Sequence, residues 1–257
     1  MKLSTWNVNS INARMDRLLE YLDSSSPDVL CLQETKCLVE NFPKDTLKHL
    51  GYESIAIGQK TFNGVAILSK KPIVELDIDL NQSVIGDQAR LIAAKILDIT
   101  VVSVYVPNGG DVSSPKFQYK MDWFDEFLLA IQDLANTGAK VIVAGDFNIT
   151  TDDRDIYDPV EWEGQILCSP QERQVLSKFL ELGFVDTFRL CNPELSAFSW
   201  WDYRQLAFPK NKGARIDYVF CTENLKDCCH ESEIHRFMRK GKKPSDHAPV
   251  CAVFDLS

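Results

Sequence analysis

The chain has 257 residues, 45% of them hydrophobic, and a formal net charge of −9. A chain of this length hides roughly 70–75% of its unfolded surface, so one domain over residues 1–257 can build its core without disulfides or a structural metal. The acidic total argues against coating nucleic acid by bulk attraction, the short apolar runs exclude a membrane span, and Lys2 is followed by no apolar signal region, which predicts a soluble, cytoplasmic protein, nucleoid-associated if bacterial.

In chain order, residues 3–6 read as a strand. Ile11, Met15, Leu18, Leu19 and Leu22 then recur at helical spacing before Pro27, and residues 29–32 form a short buried strand with Glu34 just past its end. Strand-like runs follow at 54–57, 64–69, 91–96 and 100–106. Phe117, Met121, Phe124, Leu128, Ile131 and Ala135 mark a long helix that stops before Gly138, and a strand at 141–144 delivers Gly145-Asp146-Phe147-Asn148 at its end. Pro170 suits the first turn of a third helix over 170–182, with Gly183 as its stop, and strands at 216–221 and 250–254 close the chain. The acidic segment 148–169, broken by Pro159 and Gly164, carries no assignable element. Many strands, few helices and short turns predict an α/β protein of two packed sheets with helices on the outer faces.

The eight cysteines are irregularly spaced, and Cys31, Cys221 and Cys251 lie inside apolar runs, as reduced core cysteines do. Cys228-Cys229-His230 lacks the spacing of a zinc knuckle and has no second cysteine pair to complete one, so zinc is not expected there. Residues 146–163 are strongly acidic, whereas Arg236, Arg239, Lys240, Lys242 and Lys243 form a basic run beside Ser245-Asp246-His247. That run is either a phosphate contact or a solvated loop.

Several polar groups at strand ends can carry chemistry. A lone carboxylate such as Glu34 after a buried strand is costly unless a cation or donors compensate it, and hard divalent cations take oxygen ligands; the alternative is ordinary surface. Asp146 and Asn148 share one direction if their strand continues, and can accept a proton from water and hold a phosphate oxygen; an Asp/Asn turn is the other possibility. His247 needs a partner to fix its tautomer, and Asp217, opening an apolar run, is the natural choice; an unrelated histidine is the bland alternative. Alternation puts Arg215 on the face of Asp217 and Ile216 on the other. Trp200 and Trp201 cannot both point the same way, so one of them lines a pocket, and Tyr105 either packs or aims its phenol at the site.

The strings Trp6-Asn7-Val8-Asn9-Ser10, Leu32-Gln33-Glu34-Thr35-Lys36, Tyr105-Val106-Pro107-Asn108-Gly109, Gly145-Asp146-Phe147-Asn148-Ile149, Phe198-Ser199-Trp200-Trp201-Asp202-Tyr203-Arg204, Arg215-Ile216-Asp217 and Lys243-Pro244-Ser245-Asp246-His247-Ala248-Pro249 occur here in order. Together they resemble the exonuclease III family of AP endonucleases. The resemblance implies a four-layer α/β sandwich, Mg²⁺ or Mn²⁺ dependence, incision 5′ of abasic sites in duplex DNA, removal of 3′ blocks, and 3′→5′ exonuclease activity, in a protein expected to be a monomer. By the same resemblance Glu34 is the main metal ligand, with Asn7 nearby and Asp246 close to or on the ion. Asp146 activates water with Asn148, His247 with Asp217 steadies the transition-state phosphate, and Tyr105 is a further phosphate contact. Trp200, Ala214 and Ile216 resemble the wall of the pocket for the flipped sugar, Ala214 being smaller than the residue usual there and so a source of weaker abasic-site selection. Asn9, Arg90, Arg204, Lys212, Lys240, Lys242 and Lys243 are the expected DNA contacts. A relative acting on small or lipid-headgroup phosphoesters, and a binding module without catalysis, are the rival classes.

Overall fold

The computed structural model describes residues 1–76 and 88–256. One sheet is built from β1 (Lys2–Asn7), β2 (Val29–Gln33), β3 (Glu53–Ile57), β4 (Val65–Ser69), and two strands from the end of the chain, β11 (Cys229–Ile234) and β12 (Val250–Phe254). The other comprises β5 (Val74–Leu76), β6 (Leu91–Ile96), β7 (Ile99–Tyr105), β8 (Lys140–Asp146), β9 (Phe184–Asp186) and β10 (Asp217–Thr222). Their orders are β11-β12-β1-β2-β4-β3 and β5-β6-β7-β8-β10-β9. The helices are α1 (Met15–Ser25), α2 (Lys44–His49), α3 (Pro115–Asn136), α4 (Pro170–Glu181), α5 (Thr187–Cys191) and α6 (Glu223–Lys226).

The period-two direction of strand side chains builds the layers. Val29 and Cys31 of β2 turn inward, where with Leu3 and Ile67 they meet Ala94, Val101, Ile142 and Val219 of the other sheet. Leu30 and Leu32 turn outward onto Leu18, Tyr21 and Leu22 of α1 and Leu47 of α2. On the opposite flank, Val102, Val143 and Phe220 pack under Trp123, Phe127 and Ile131 of α3 and Val175, Leu176 and Phe179 of α4. The result is the expected four-layer α/β sandwich. The long elements fall close to their sequence positions because their ends carry local stop and start chemistry. Ser114 accepts the Phe117 N–H ahead of Pro115, and at α4 Ser169 and Glu172 form a reciprocal capping box ahead of Pro170. The elements α2, β5, β9, α5, α6 and β11 were not expected; most are short and lack a cap, although Asp186 caps α5 by accepting the Phe188 and Arg189 N–H groups. Cys228-Cys229-His230 leads into β11 at the edge of its sheet, and all eight cysteines are free thiols. Among the described residues no helix is long and apolar enough to cross a membrane.

Each sheet has one parallel pair at its centre, β1 with β2 through α1 and β7 with β8 through α3. Parallel neighbours end on the same side, so Asn7, Gln33, Tyr105 and Asp146 all finish at one edge of the sandwich; Asn7 pairs with Gln33, and Tyr105 with Asp146. Antiparallel β10 begins there, Asp217 opposite Asp146, and the chain before β12 brings Asp246 and His247 to the same edge.

One half-buried group at the periphery makes stability pH-dependent. His235 Nδ1 lies 3.0 Å from the Tyr21 hydroxyl, whose proton goes to Ser4 Oγ, and burial with the nearby Lys2 charge pushes the imidazole pKa down to about 4. The unfolded chain therefore takes up a proton near pH 6.5 that the folded chain resists, so stability present above that pH is lost as pH falls towards 4, by at most about 3 kcal/mol. Denaturant titrations at pH 7, 6 and 5 should show a shallower pH slope for His235→Phe than for the unaltered chain; parallel slopes would remove His235 as the cause.

Candidate active site

A cavity of about 430 Å³ opens at this edge. Its polar side is lined by Glu34, Tyr105, Asn108, Asp146, Asn148, Asp246 and His247, with Asp202 and Arg204 also on its lining, and its apolar side by Trp162, Ile166, Leu167, Trp200 and Ile216.

Glu34 has a left-handed backbone (φ +50°), which carries the chain abruptly out of β2. Its Oε1 accepts from Asn7 Nδ2 at 2.8 Å, and its Oε2 lies 2.7 Å from Lys36 Nζ. Burial pushes the carboxyl up, but the Asn7 and Lys36 bonds outweigh it and hold Glu34 below the usual carboxylate range. The same Asn7 amide donates to Asp146 Oδ2 at 2.8 Å, while its Oδ1 accepts the Asn9 N–H at 3.0 Å. Asn7 thus sets a donor between two carboxylates. Asn9 also turns inward: its Nδ2 holds Asp246 Oδ1 at 2.9 Å and its Oδ1 takes Lys36 at 2.6 Å, so it braces Asp246 and is not free to grip a substrate. The other Asp246 oxygen accepts from Trp200 Nε1 at 3.1 Å. For Asp246 too, burial is outweighed, here by the His247 charge and these two donors, and its pKa is lowered.

His247 Nδ1 lies 2.8 Å from Asp217 Oδ2, the partner expected from the sequence, leaving Nε2 facing Asp146 Oδ2 at 3.8 Å. Burial opposes the charged imidazole, but Asp217 and Asp146 prevail and its pKa rises to about 10. Burial, followed by the Asp217 and Glu34 charges, pushes Asp146 up to about 7 against the pull of His247. A carboxylate poised near neutral pH suits proton transfer. Ser199 completes the arrangement, donating to Asp217 Oδ2 at 2.6 Å and accepting the Ile216 and Asp217 N–H groups at 3.1 Å each. Only its place beside Trp200 could have pointed to it.

The strand does not continue through Asn148. β8 ends at Asp146, the chain turns left-handed at Asn148 (φ +50°), and the Asn148 N–H donates to Asp146 Oδ1 at 3.0 Å. Phe147 anchors the turn, buried against Phe220 at a ring distance of 4.9 Å, a burial contributing roughly 1.5–3 kcal/mol. The Asn148 amide binds Val106 O and Asn108 Nδ2, each at 3.0 Å, and faces the cavity as expected. Tyr105 lines the cavity as well; burial, with the Glu34 and Asp146 charges, raises its pKa well above the ordinary value and keeps the phenol protonated.

Other expectations need correction. Arg90 is buried, stacked 4.6 Å from the Tyr105 ring and bonded to Tyr105 O at 3.2 Å, so it scaffolds Tyr105 and is not open to DNA phosphate. Ala214 is fully buried with N and O both paired to Trp200, and it packs behind the wall with Ile156, Leu167 and Cys168, outside the cavity lining. Trp162 and Leu167, from the unassigned acidic segment, line the wall in its place; long-range pairing of Thr150 N–H to Leu167 O holds that segment, which local sequence does not encode. Arg215 does not share the face of Asp217, because it precedes β10 and its guanidinium turns to Asp155 and Asp186. Trp200 lines the cavity while Trp201 is buried, and Ile216 is in the wall. Arg204, bonded to Asp202, lines both the cavity and a second depression beside it, which Lys212, 5.0 Å over the Tyr157 ring, lines as well. Lys240, Lys242 and Lys243 are exposed and outside both, whereas Arg239 is buried and bonds Ser245 O and Trp201 O, holding the turn before Asp246.

The donor set favours a hard cation. Glu34, Asp146 and Asp246 converge on one cavity, and Asp146, Asp217 and His247 have ligand atoms within 4.8 Å of one another, a group able to hold a metal. The His247–Asp217 bond uses one ligand atom of each residue of that pair, and the oxygens of Glu34 and Asp246 accept from Asn7, Lys36, Asn9 and Trp200.

Residues 4–247, carrying all of these groups, match the profile of the Endonuclease/Exonuclease/phosphatase family. The chain belongs to that family. It is 32% identical to an exodeoxyribonuclease of Bacillus subtilis over 100% of both chains. Among solved members of the Endonuclease/Exonuclease/phosphatase family fold, it superposes on an AP endonuclease from Archaeoglobus fulgidus with a TM-score of 0.95 at 34% identity, covering 100% of both chains. It is equally similar to the Neisseria 3′ phosphatase NExo bound to a product DNA hairpin, with a TM-score of 0.94 at 37% identity and 100% coverage of both chains.

Proposed function

We propose that the protein is a divalent-metal-dependent DNA-repair nuclease that hydrolyses phosphoesters in duplex DNA, 5′ of abasic sites and at blocked or recessed 3′ ends. The observation that carries this is the pairing, in one cavity, of an Asp146–His247–Asp217 set with an apolar wall of Trp162, Leu167, Trp200 and Ile216. The first can move protons around a phosphate; the second accepts a sugar without its base, whose extrusion is cheap. The relatives support DNA as the substrate through the hairpin-bound neighbour.

Asp146 takes the proton of the attacking water, with Asn148 fixing the turn on which it sits. His247, held by Asp217, presents Nε2–H to the phosphate as charge builds, and Tyr105 donates its phenolic proton to another oxygen. Mg²⁺ or Mn²⁺ at Glu34 and Asp246 would neutralise the phosphate and make it attackable. Arg204 on the cavity lining, and Lys212 and the exposed Lys240, Lys242 and Lys243 outside it, grip the backbone. One chain completes the cavity, which supports action as a monomer.

The test is a comparison of initial rates on an abasic duplex, a 3′-phosphate duplex, an intact recessed duplex and an inositol polyphosphate, with Mg²⁺, with Mn²⁺ and after chelation. Metal-dependent cleavage of the DNA substrates is expected. Cleavage of the inositol polyphosphate alone, or full activity after chelation, would overturn the reading.

A further inference from the structure

Lys120 is fully buried on α3, and its ammonium is spent on three acceptors belonging to three segments. It donates to Asn148 O at 2.7 Å, to Asn108 O at 3.2 Å and to Glu172 Oε1 at 2.5 Å. Glu172, equally buried, is the capping-box residue of α4, yet its Oε1 also accepts the Leu167 N–H at 3.1 Å, at a residue whose backbone is left-handed (φ +73°). Its other oxygen takes the Ser169 N–H at 3.0 Å and the Ser169 hydroxyl at 2.7 Å.

A buried ion pair is poor value as a source of stability, since two apolar side chains of similar volume often serve as well or better. What such a pair supplies here is direction. The charges point at main-chain groups of two left-handed residues, Asn148 and Leu167, neither of which a helix or strand holds in place. Asn148 follows Asp146, and Leu167 is in the cavity wall. We propose that Lys120 and Glu172 are positioning residues that set the water-activating turn and the sugar-facing wall at a fixed separation, through a single buried ion pair reaching both. The pair touches no substrate.

The inference rests on the nuclease reading, and its test is made on whichever DNA substrate the protein cleaves. Lys120→Met combined with Glu172→Met removes both charges without leaving one unpaired, but it also removes the α4 capping box and the partners of the Leu167 N–H and Asn148 carbonyl, so the fold should survive with a melting temperature lowered by several degrees. Turnover should nevertheless fall roughly 100-fold with KM changed less than about threefold, as expected when a reacting group is displaced by a fraction of an ångström to an ångström. Normal kcat in the folded pair variant would show the ion pair to be structural only. Glu172→Gln keeps the shape but leaves the buried Lys120 charge without its carboxylate, so its melting temperature should fall; in protein that circular dichroism shows folded it should lower kcat about tenfold at unchanged KM by weakening the Lys120 anchor, and an unchanged kcat overturns the proposal. An unaltered chain that cleaves no DNA substrate would instead sink the nuclease reading itself.

Discussion

Asp146→Asn should abolish nearly all cleavage while leaving DNA binding almost intact. Asparagine keeps the shape, and its single amide oxygen can accept from either Asn7 Nδ2 or the Asn148 N–H, which bond different Asp146 oxygens, so one of the two bonds is lost while the fold of the turn and the duplex contacts outside the cavity survive. It cannot take a proton. Loss of a positioned general base costs about 10²–10⁴-fold in rate. The pKa of Asp146, lifted to about 7 mainly by burial, places this carboxylate where it both accepts a proton readily and is largely ionised at slightly alkaline pH. Single-turnover cleavage of the preferred duplex, alongside fluorescence anisotropy of the same duplex, separates the two effects. Cleavage within tenfold of the unaltered chain would remove Asp146 from the chemistry, and a parallel collapse of binding would make it a substrate grip.

The largest expected loss of stability comes from Arg215→Met. The Arg215 guanidinium is fully buried and bonds Asp155 through Nε at 2.7 Å and Nη2 at 2.9 Å, Asp186 through Nη1 at 2.7 Å, and Thr151 Oγ1 at 3.2 Å. It also stacks 4.6 Å over the Tyr218 ring. Burial disfavours its charge, but Asp186 and Asp155 win and hold it protonated well above its ordinary range. Methionine fills much of the volume and leaves two carboxylates facing each other; Arg189, 2.7 Å from Asp155, compensates only one of them. Breaking such a pair from one side costs about 3–5 kcal/mol, or roughly 10 °C in a domain of this size. Thermal unfolding followed by circular dichroism would show it, and a shift under 2 °C would mean that the network relaxes around the loss. Because Arg215 sits between Ala214, paired to Trp200, and Asp217, the variant should also lose activity before it unfolds.

The Ala214 expectation changes with this geometry. A small residue there was read as widening the sugar pocket, but Ala214 lies behind the wall, and Trp162, Leu167, Trp200 and Ile216 present the surface. On the proposed function, the surface offered to a sugar is made by Trp162, Leu167, Trp200 and Ile216, with Ala214 supporting Trp200 from behind.

How much was legible in advance follows from the range of each interaction. The long helices and central strands were readable because their periodicity and caps are local: Ser114 with Pro115, Ser169 with Glu172, and the alternation of Val29 to Leu32. Glu34, Asp146, Asp246 and His247 were readable because each is a polar residue set where an apolar strand ends or begins, and two parallel pairs carry such ends to one edge. The Asp217 partner of His247 followed from the same logic. What lay beyond local reading was direction. Arg90, Arg215, Arg239 and Lys120 look in sequence like charges for solvent or phosphate, yet each is buried and spent on protein acceptors that lie far along the chain or on another element. Asn7 and Asn9, which read as a neighbour of the metal and a substrate contact, turn their amides onto neighbouring carboxylates. A side chain's type and strand position limit what chemistry it can perform. Which atom it faces depends on partners brought close only by packing, and for buried charges the cost of an unpaired group makes that choice decisive.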